Sequence, residues 1–384
     1  MDLRFSEAQQ AFRAEARAWL QANVPDPRPP SHNTRDGFAQ HVAWEKQLFE
    51  AGWAVVSWPK AYGGREASLV EWLIFEEEYY RAGAPARVTQ NGIFLLAPTL
   101  FECGTPEQQE RILQPMAAAD YLWAQAWSEP NAGSDLASVT SRAERVEGGW
   151  RVTGQKTWCS RGAFCQGIYG LFRTDPESQR HRGLTYMMVD LDQPGVTLRA
   201  VEDLDGHDAF AEVFLEDAFV PDRDVIGAVN GGWGVAMSTT SSERGLSLRS
   251  PGRFLAMADR LIALWKENGA DARLRDRVLQ IWMDARAYQL YTYGTVTRMM
   301  AGGSIGADSS FNKIFWSEMD LAAHELALEI LASRAELHPH APDAVDGGRW
   351  THDYLFSLAG PIYAGTNEVQ RNIVASRVLD LPRK

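Results

Sequence analysis

The apolar residues of this 384-residue chain change period twice, and that change restricts the fold to a helical, β, helical succession. Up to about residue 120 the spacing is helical. Ser6-Glu-Ala-Gln9 forms a capping box ahead of Phe12, Ala16, Trp19 and Leu20, and Ser68-Leu-Val-Glu71 repeats the device before Trp72, Ile74 and Phe75. Thr105-Pro106-Glu107-Gln108 sets a cap, a first-turn proline and an early acid in the order that a helix start prefers. Proline-rich Val24 to Pro30 and the turn-rich stretch Trp58 to Gly64 separate these helices. After Asp120 the pattern becomes extended: Glu147-Gly-Gly149 divides two strand-like stretches, and runs from Thr185, Val196 and Ala211 are bounded by Gly, Pro and Asp. Strands without long helices between them predict an antiparallel barrel or sandwich. From Gly231 the period is helical again, through Leu255 to Trp265, Leu274 to Met300 and Phe311 to Ser333. The expectation is an α+β multidomain protein: an N-terminal helical domain over 1–120, a middle β domain over 121–230 and a C-terminal four-helix bundle over 231–384.

Charge and composition exclude several classes. With 38 basic against 50 acidic residues, the net charge of -12 disfavours nucleic acid, so an anionic ligand must be met by a local basic site. The longest apolar stretch near the front, Ile93 to Ala97, is too short to cross a bilayer, and Met1 to Phe5 lacks a signal-peptide layout, which predicts a cytoplasmic protein without a membrane partner. Three cysteines (Cys103, Cys159, Cys165) without a Cys-x-x-Cys pair predict reduced structural thiols. No Gly-x-Gly-x-x-Gly, Walker lysine loop or Gly-x-Ser-x-Gly elbow is present. His324-Glu325 begins like a zinc-protease helix, but Leu328 occupies the second histidine position, so the two read as a surface pair and no metal is expected. The 14 tryptophans are numerous enough to suggest either packing or a pocket for a flat ring.

Three segments carry chemistry. Trp127 to Asp135 is a small polar loop where the helical region gives way to strands; its amides and the Ser128 and Ser134 hydroxyls suit a carbonyl or phosphate edge, and an interdomain turn has the same composition. In Gly154 to Ser160, strand alternation puts Trp158 and Ser160 on one side, a stacking plane beside a hydroxyl, unless Trp158 is a core residue. Gly360 to Arg371 is a glycine-punctuated loop that opens the last helix near the positive end of its dipole.

In this order, Ser128-Glu-Pro-Asn-Ala-Gly-Ser-Asp135 and Tyr363-Ala-Gly-Thr-Asn-Glu-Val-Gln-Arg371, with a β region between them, resemble the acyl-CoA dehydrogenase family over nearly the whole chain. The resemblance implies FAD held between the β and C-terminal domains and completed by a neighbouring subunit. It implies that Trp127, Ser128 and Gly133 face the flavin pyrimidine edge, that Gln125 also binds the cofactor, that Ser134 binds the cofactor and touches the CoA pantetheine or phosphate, that Trp158 stacks on the flavin and that Ser160 bonds near its N5. It also implies that Thr366 and Glu368 reach FAD from the other side, and that Tyr363, Ala364 and Gly365 line the substrate.

The sequence departs from the family where its catalytic glutamate usually stands, because Ala364 cannot accept a proton. Glu243, in Ser241-Ser-Glu-Arg-Gly245, matches the arrangement of isovaleryl-CoA dehydrogenase and its relatives, in which the base sits on an earlier helix; Arg244 would then contact substrate or CoA. The usual FAD-pyrophosphate arginine motif is absent, and Arg275 is the nearest match. The Gly-Gly-x-Gly loop is replaced by Leu337 to Gly348. Such changes are similar to a bacterial branch that oxidises bulky, dicarboxylic or steroid side-chain thioesters, some members being heterotetramers of two related subunits and others homotetramers. The resemblance implies an acyl-CoA substrate and an electron-transfer flavoprotein as acceptor. A flavin-dependent monooxygenase on the same fold, or a partner subunit of a heteromeric dehydrogenase, is the competing expectation.

Overall fold

The computed structural model describes residues 4–244, 250–303, 305–307, 309–339 and 341–382, with the side chains of 241–244 outside the description. Helices run over Glu7–Asn23 (α1), Arg35–Glu50 (α2), Leu69–Arg81 (α3), Ala97–Cys103 (α4), Pro106–Ala117 (α5), Gly232–Arg244 (α6), Pro251–Glu267 (α7), Arg275–Met300 (α8), Ser309–Leu331 (α9), Arg349–Ser357 (α10) and Asn367–Arg377 (α11). Strands are Trp123–Gln125 (β1), Arg142–Val146 (β2), Gly149–Ser160 (β3), Gly167–Arg173 (β4), Leu184–Asp190 (β5), Val196–Val201 (β6), Phe210–Pro221 (β7) and Val225–Ile226 (β8). The chain is therefore a mixed α+β protein with helices, a central sheet and helices in sequence order. Both expected capping boxes form, at Ser6/Gln9 and Ser68/Glu71, and the expected Thr105 cap closes a third with Gln108.

The chain divides into two compact units. One holds residues 1–24, 68–84 and 244–384. Its core is built from Phe254, Leu261, Val278, Ile281, Trp316 and Leu326 on α7, α8 and α9. Gly252 lets α7 approach α3 closely, since a Cβ there would lie 2.7 Å from the Glu76 carbonyl oxygen. Three consecutive acids of α3, Glu76 to Glu78, are buried; Arg13 of α1 pairs with Glu77 and Glu78, and Arg17 Nε lies 2.8 Å from Glu78. His324 is a correction to the surface pair: it is buried, with Nδ1 2.7 Å from the Asp320 carbonyl, because Ala323, Leu326 and Ala327 turn the same part of α9 inward.

The other unit holds residues 25–67 and 85–243. Its sheet has the order β6-β7-β3-β2-β4-β5-β8, with β1 pairing β4. Most pairs are antiparallel, as expected, but β1 runs parallel to β4, and β2 touches β4 in parallel at Arg142 and Arg173. The β2–β3 hairpin lies between β1 and β4 in sequence and gives the chain the long crossover that a parallel neighbour requires. Cys159 is buried and Cys165 partly so, and burial pushes both thiols up to about 12, as suits structural cysteines. No helix among the described residues is long and apolar enough to cross a membrane.

Candidate active site

The expected site residues divide between the two units. In the sheet unit, Gln125 ends β1 beside Tyr169 of β4, and the Ala126 amide donates to the Tyr169 carbonyl at 2.9 Å. The chain then leaves the sheet as the Trp127 to Asp135 loop. Two reciprocal backbone bonds between Glu129 and Ala132, both 3.0 Å, close it into a tight turn over Pro130 and Asn131. The Thr157 amide donates to the Ser128 carbonyl at 2.9 Å, which brings this loop against the end of β3. Gly133 and Ser134 are exposed, and nothing lies within 4 Å of where a Gly133 Cβ would sit.

Strand β3 bulges between Lys156 and Cys159. Lys156 and Thr157 are both buried, so alternation fails there and resumes at buried Cys159, which Trp158 and Ser160 flank. Trp158 takes a φ of 58° and is 60% exposed, which excludes a core role. Its indole meets Phe210 edge-on at 5.6 Å. Asn91 donates to the Ser160 carbonyl at 3.4 Å. Gln125 Nε2 is buried without a hydrogen-bond partner. An exposed indole, a partnerless buried amide and an open glycine loop fit a flat ring with a polar edge, the shape of a flavin.

Glu129 and Lys156 hold this arrangement and were not singled out from the sequence. Lys156 Nζ donates to Glu129 Oε1 and to the Leu171 carbonyl, each at 2.8 Å. The Thr140 amide (2.7 Å), the Thr140 hydroxyl (2.9 Å) and the Ser141 amide (3.0 Å) also donate to Glu129. Burial alone would raise the Glu129 carboxyl; Lys156 and these donors overcome it and hold the group at about 2. Burial in turn pulls the Lys156 ammonium below its usual range, against the pull of Glu129. Two-residue alternation sets Lys156 on the side of Trp158, so the sequence carries no signal for the pair; the bulge of β3 turns the lysine inward, where it needs a buried acid.

Glu243 stands next to last in α6 and Arg244 ends it; the side chains of both expected residues lie outside the described residues. In the helical unit, Tyr363 stacks on Trp316 at 5.9 Å. Ala364 and Gly365 take φ of 56° and 78°. Gln370, fully buried, donates from Nε2 to the carbonyls of both, at 3.0 and 3.2 Å, and so fixes the turn. Thr366 caps α11 by accepting from the Val369 amide. Exposed Glu368 is held below the usual carboxylate range by its own backbone amide and then the Thr366 hydroxyl. Asn367 is buried against Lys313, whose Nζ donates to it at 2.8 Å. Arg275 is exposed at the first residue of α8, where the helix dipole disfavours a cation unless an anion is near.

Family models match nearly the whole chain: "Acyl-CoA dehydrogenase, N-terminal domain" over residues 6–120, the corresponding middle domain over 124–218 and the C-terminal domain over 230–379. The chain is 38% identical to acyl-CoA dehydrogenase IpdE1 of Mycolicibacterium smegmatis, covering 98% of each chain. It is likewise 38% identical to IpdE1 of Mycobacterium tuberculosis, over 97% of this chain and 98% of that one. Among solved structures, the Tcur3481-Tcur3483 steroid ACAD superposes with a TM-score of 0.90 at 28% identity, each chain fully covered. The ChsE4-ChsE5 complex from Mycobacterium tuberculosis does so with a TM-score of 0.86 at 27% identity, again with full coverage. Full-length matches to all three domains and to these relatives establish that the chain belongs to the acyl-CoA dehydrogenase family, the FAD-dependent oxidoreductases of lipid metabolism.

Proposed function

We propose that the chain oxidises a bulky acyl-CoA thioester to the trans-2-enoyl-CoA, with Glu243 as the base. The observation that carries this reading is that the sequence has Ala364, with no proton acceptor, at one position and Glu243, at the end of α6, at the other. When bound, FAD supplies the two-electron acceptor that forming a carbon–carbon double bond requires. Glu243 takes the α-proton as the β-hydrogen departs with its electron pair. The amide of Ala364 hydrogen-bonds the thioester carbonyl and lowers the cost of the developing enolate. Gln125, Trp127, Ser128, Gly133, Trp158 and Ser160 receive the flavin, supported by the exposed indole and the partnerless Gln125 amide. Thr366, Glu368 and Arg275 complete the cofactor contacts, and Ser134, Arg244, Tyr363 and Gly365 contact the acyl-CoA.

A steroid-type or similarly bulky acyl group is supported by the names of the structural relatives. The heteromeric names of those relatives support assembly with a related subunit, and a homotetramer is the alternative assembly. Exposed Leu279, Met283, Leu290, Tyr291 and Phe315 on α8 and α9 supply apolar surface for either. The three matched segments support the domain division 1–120, 121–230 and 231–384. An electron-transfer flavoprotein as acceptor and a cytoplasmic location complete the reading.

Anaerobic titration of the FAD-loaded protein with a panel of acyl-CoAs tests it. A saturated thioester bleaches the oxidised-flavin absorbance, and Glu243→Gln abolishes bleaching while keeping FAD. Normal bleaching in Glu243→Gln removes the base assignment; oxygen-dependent hydroxylation with no bleaching by any thioester favours a monooxygenase.

A further inference from the structure

Four buried or half-buried polar side chains form a continuous hydrogen-bond chain from the Trp127 loop to α6. Trp127 Nε1 donates to the Tyr186 hydroxyl at 3.2 Å. The Tyr186 hydroxyl lies 3.2 Å from Thr239 Oγ1. Thr239 Oγ1 lies 2.7 Å from Thr99 Oγ1, and Thr99 donates to the Leu95 carbonyl at 2.8 Å. Tyr186, Thr239 and Thr99 have essentially no solvent exposure.

The chemistry of the two ends sets its direction. An indole nitrogen only donates and a peptide carbonyl only accepts. The arrangement that satisfies every close contact therefore runs one way: Trp127 to Tyr186, Tyr186 to Thr239, Thr239 to Thr99, Thr99 to Leu95. The Val235 carbonyl, 3.2 Å from Thr239 Oγ1, competes for the same proton at longer range. Leu95 lies inside the π turn Gly92–Leu96, an irregularity of a kind found often near functional sites.

The chain also anchors a helix already fixed at its start. The Asn230 amide donates to Thr185 Oγ1 at 2.9 Å. Any Cβ on Gly232 would lie 2.6 Å from the Tyr186 amide nitrogen, so the first turn of α6 rests directly on the β5 backbone. Seven residues on, Thr239 is tied to Thr99 of α4, and next to it Ser238 bonds Glu102 of the same helix. Thr239 precedes Glu243 by one helical turn.

We propose that Tyr186 and Thr239 are positioning residues for Glu243: their hydroxyls fix the rotation and axial place of α6 relative to the Trp127 loop. This inference rests on the proposed function, since it takes Glu243 as the base and the Trp127 loop as a flavin contact. A general base acts only within hydrogen-bond reach of its proton, and a shift of about 1 Å can cost up to a hundredfold in rate. A helix held at one end would allow such a shift. The hydroxyl chain removes it, and it couples the position of the base to the loop beside the cofactor.

Thr239→Val keeps the volume and removes the hydroxyl, whereas Thr239→Ser keeps the hydroxyl and removes a methyl group, so the two separate the hydroxyl from the packing. In the FAD-loaded Thr239→Val protein, kcat falls about tenfold or more while KM for the acyl-CoA changes less than about twofold, and hydrogen exchange of the α6 amides accelerates about tenfold with α5 unchanged. Thr239→Ser restores both readouts, and Tyr186→Phe reproduces the losses and stands in should Thr239→Val fold poorly. Equal kcat and exchange in Thr239→Val and Thr239→Ser overturn the proposal, as does faster exchange with unchanged kcat. Loss of kcat in Thr239→Val together with normal flavin bleaching in Glu243→Gln overturns the base assignment itself and with it the target of the chain.

Discussion

Lys156 Nζ lies 2.8 Å from Glu129 Oε1, with the lysine side chain fully buried and that of the glutamate 5% exposed. The pair joins two motifs, since Glu129 belongs to the Trp127 to Asp135 loop and Lys156 to the bulge of β3 that presents Trp158. The residues next to the pair in each segment, Thr157 and Ser128, are joined by a 2.9 Å backbone bond. Removing one partner leaves the other charged, buried and uncompensated, at a cost of about 3–5 kcal/mol. Glu129→Gln and Lys156→Met are each expected to lower the unfolding free energy, read from urea titration, by an amount of that order. The double variant Glu129→Gln/Lys156→Met should be more stable than either single one, because it leaves no stranded charge and the glutamine keeps an acceptor oxygen toward the Thr140 and Ser141 donors.

The same pair gives stability a defined pH dependence. Glu129 is held at about 2 in the folded chain, whereas an unfolded glutamate titrates near about 4.3. A depressed carboxyl stabilises the fold above the unfolded value and loses that contribution as the pH falls through the folded one. The unfolded state binds more protons between these limits, so stability rises with pH from about 2 to about 4.5. Urea midpoints measured across that window should show a shallower slope in Glu129→Gln; an unchanged slope would remove Glu129 from the acid response.

What was legible in the sequence was local or carried by a motif. The boxes at Ser6, Ser68 and Thr105 close within three residues, so adjacent positions specify them. The parallel pairing of Trp123–Gln125 with Gly167–Tyr169 joins positions more than forty residues apart and has no period of its own. His324 read as exposed because Leu328 breaks the zinc-protease motif, although its neighbours within one helical turn decide its burial. Glu129 and Lys156 stood in plain view within the two motifs, yet only the sheet register brings them together. The bulge that turns Trp158 outward is likewise a property of β3 against β7, which a strict two-residue alternation does not contain.

Trp158 separates folding from cofactor binding. At 60% exposure its indole contributes little to the folded chain. Trp158→Ala is therefore expected to change the stability of the FAD-free protein by less than about 1 kcal/mol. If the ring stacks on the flavin, the same variant weakens FAD about tenfold or more, and Trp158→Phe recovers part of that loss. Fluorescence titration with FAD, set beside thermal melts with and without the cofactor, distinguishes the two; a large loss of stability without FAD would return Trp158 to a structural role.

Gln370 governs the turn whose Ala364 amide is assigned to the thioester carbonyl. Its Nε2 bonds the Ala364 and Gly365 carbonyls at 3.0 and 3.2 Å, and both residues have left-handed backbones. Gln370→Met keeps the length of the side chain and strands both carbonyls, at a cost of about 1–3 kcal/mol in stability. The same variant should lower kcat more than it raises KM, because a displaced amide loses its contact mainly as charge develops on the carbonyl. Ala364→Gly serves as its counterpart: glycine accepts the 56° φ without strain, so stability should hold or rise by up to about 1 kcal/mol. Neither alanine nor glycine carries a base, so Ala364→Gly should also retain activity. Steady-state kinetics and urea unfolding of the two variants check both arms. A Gln370→Met enzyme with unchanged kcat would show that the turn does not position the amide, and an inactive Ala364→Gly would show that the methyl group at 364 has a role of its own.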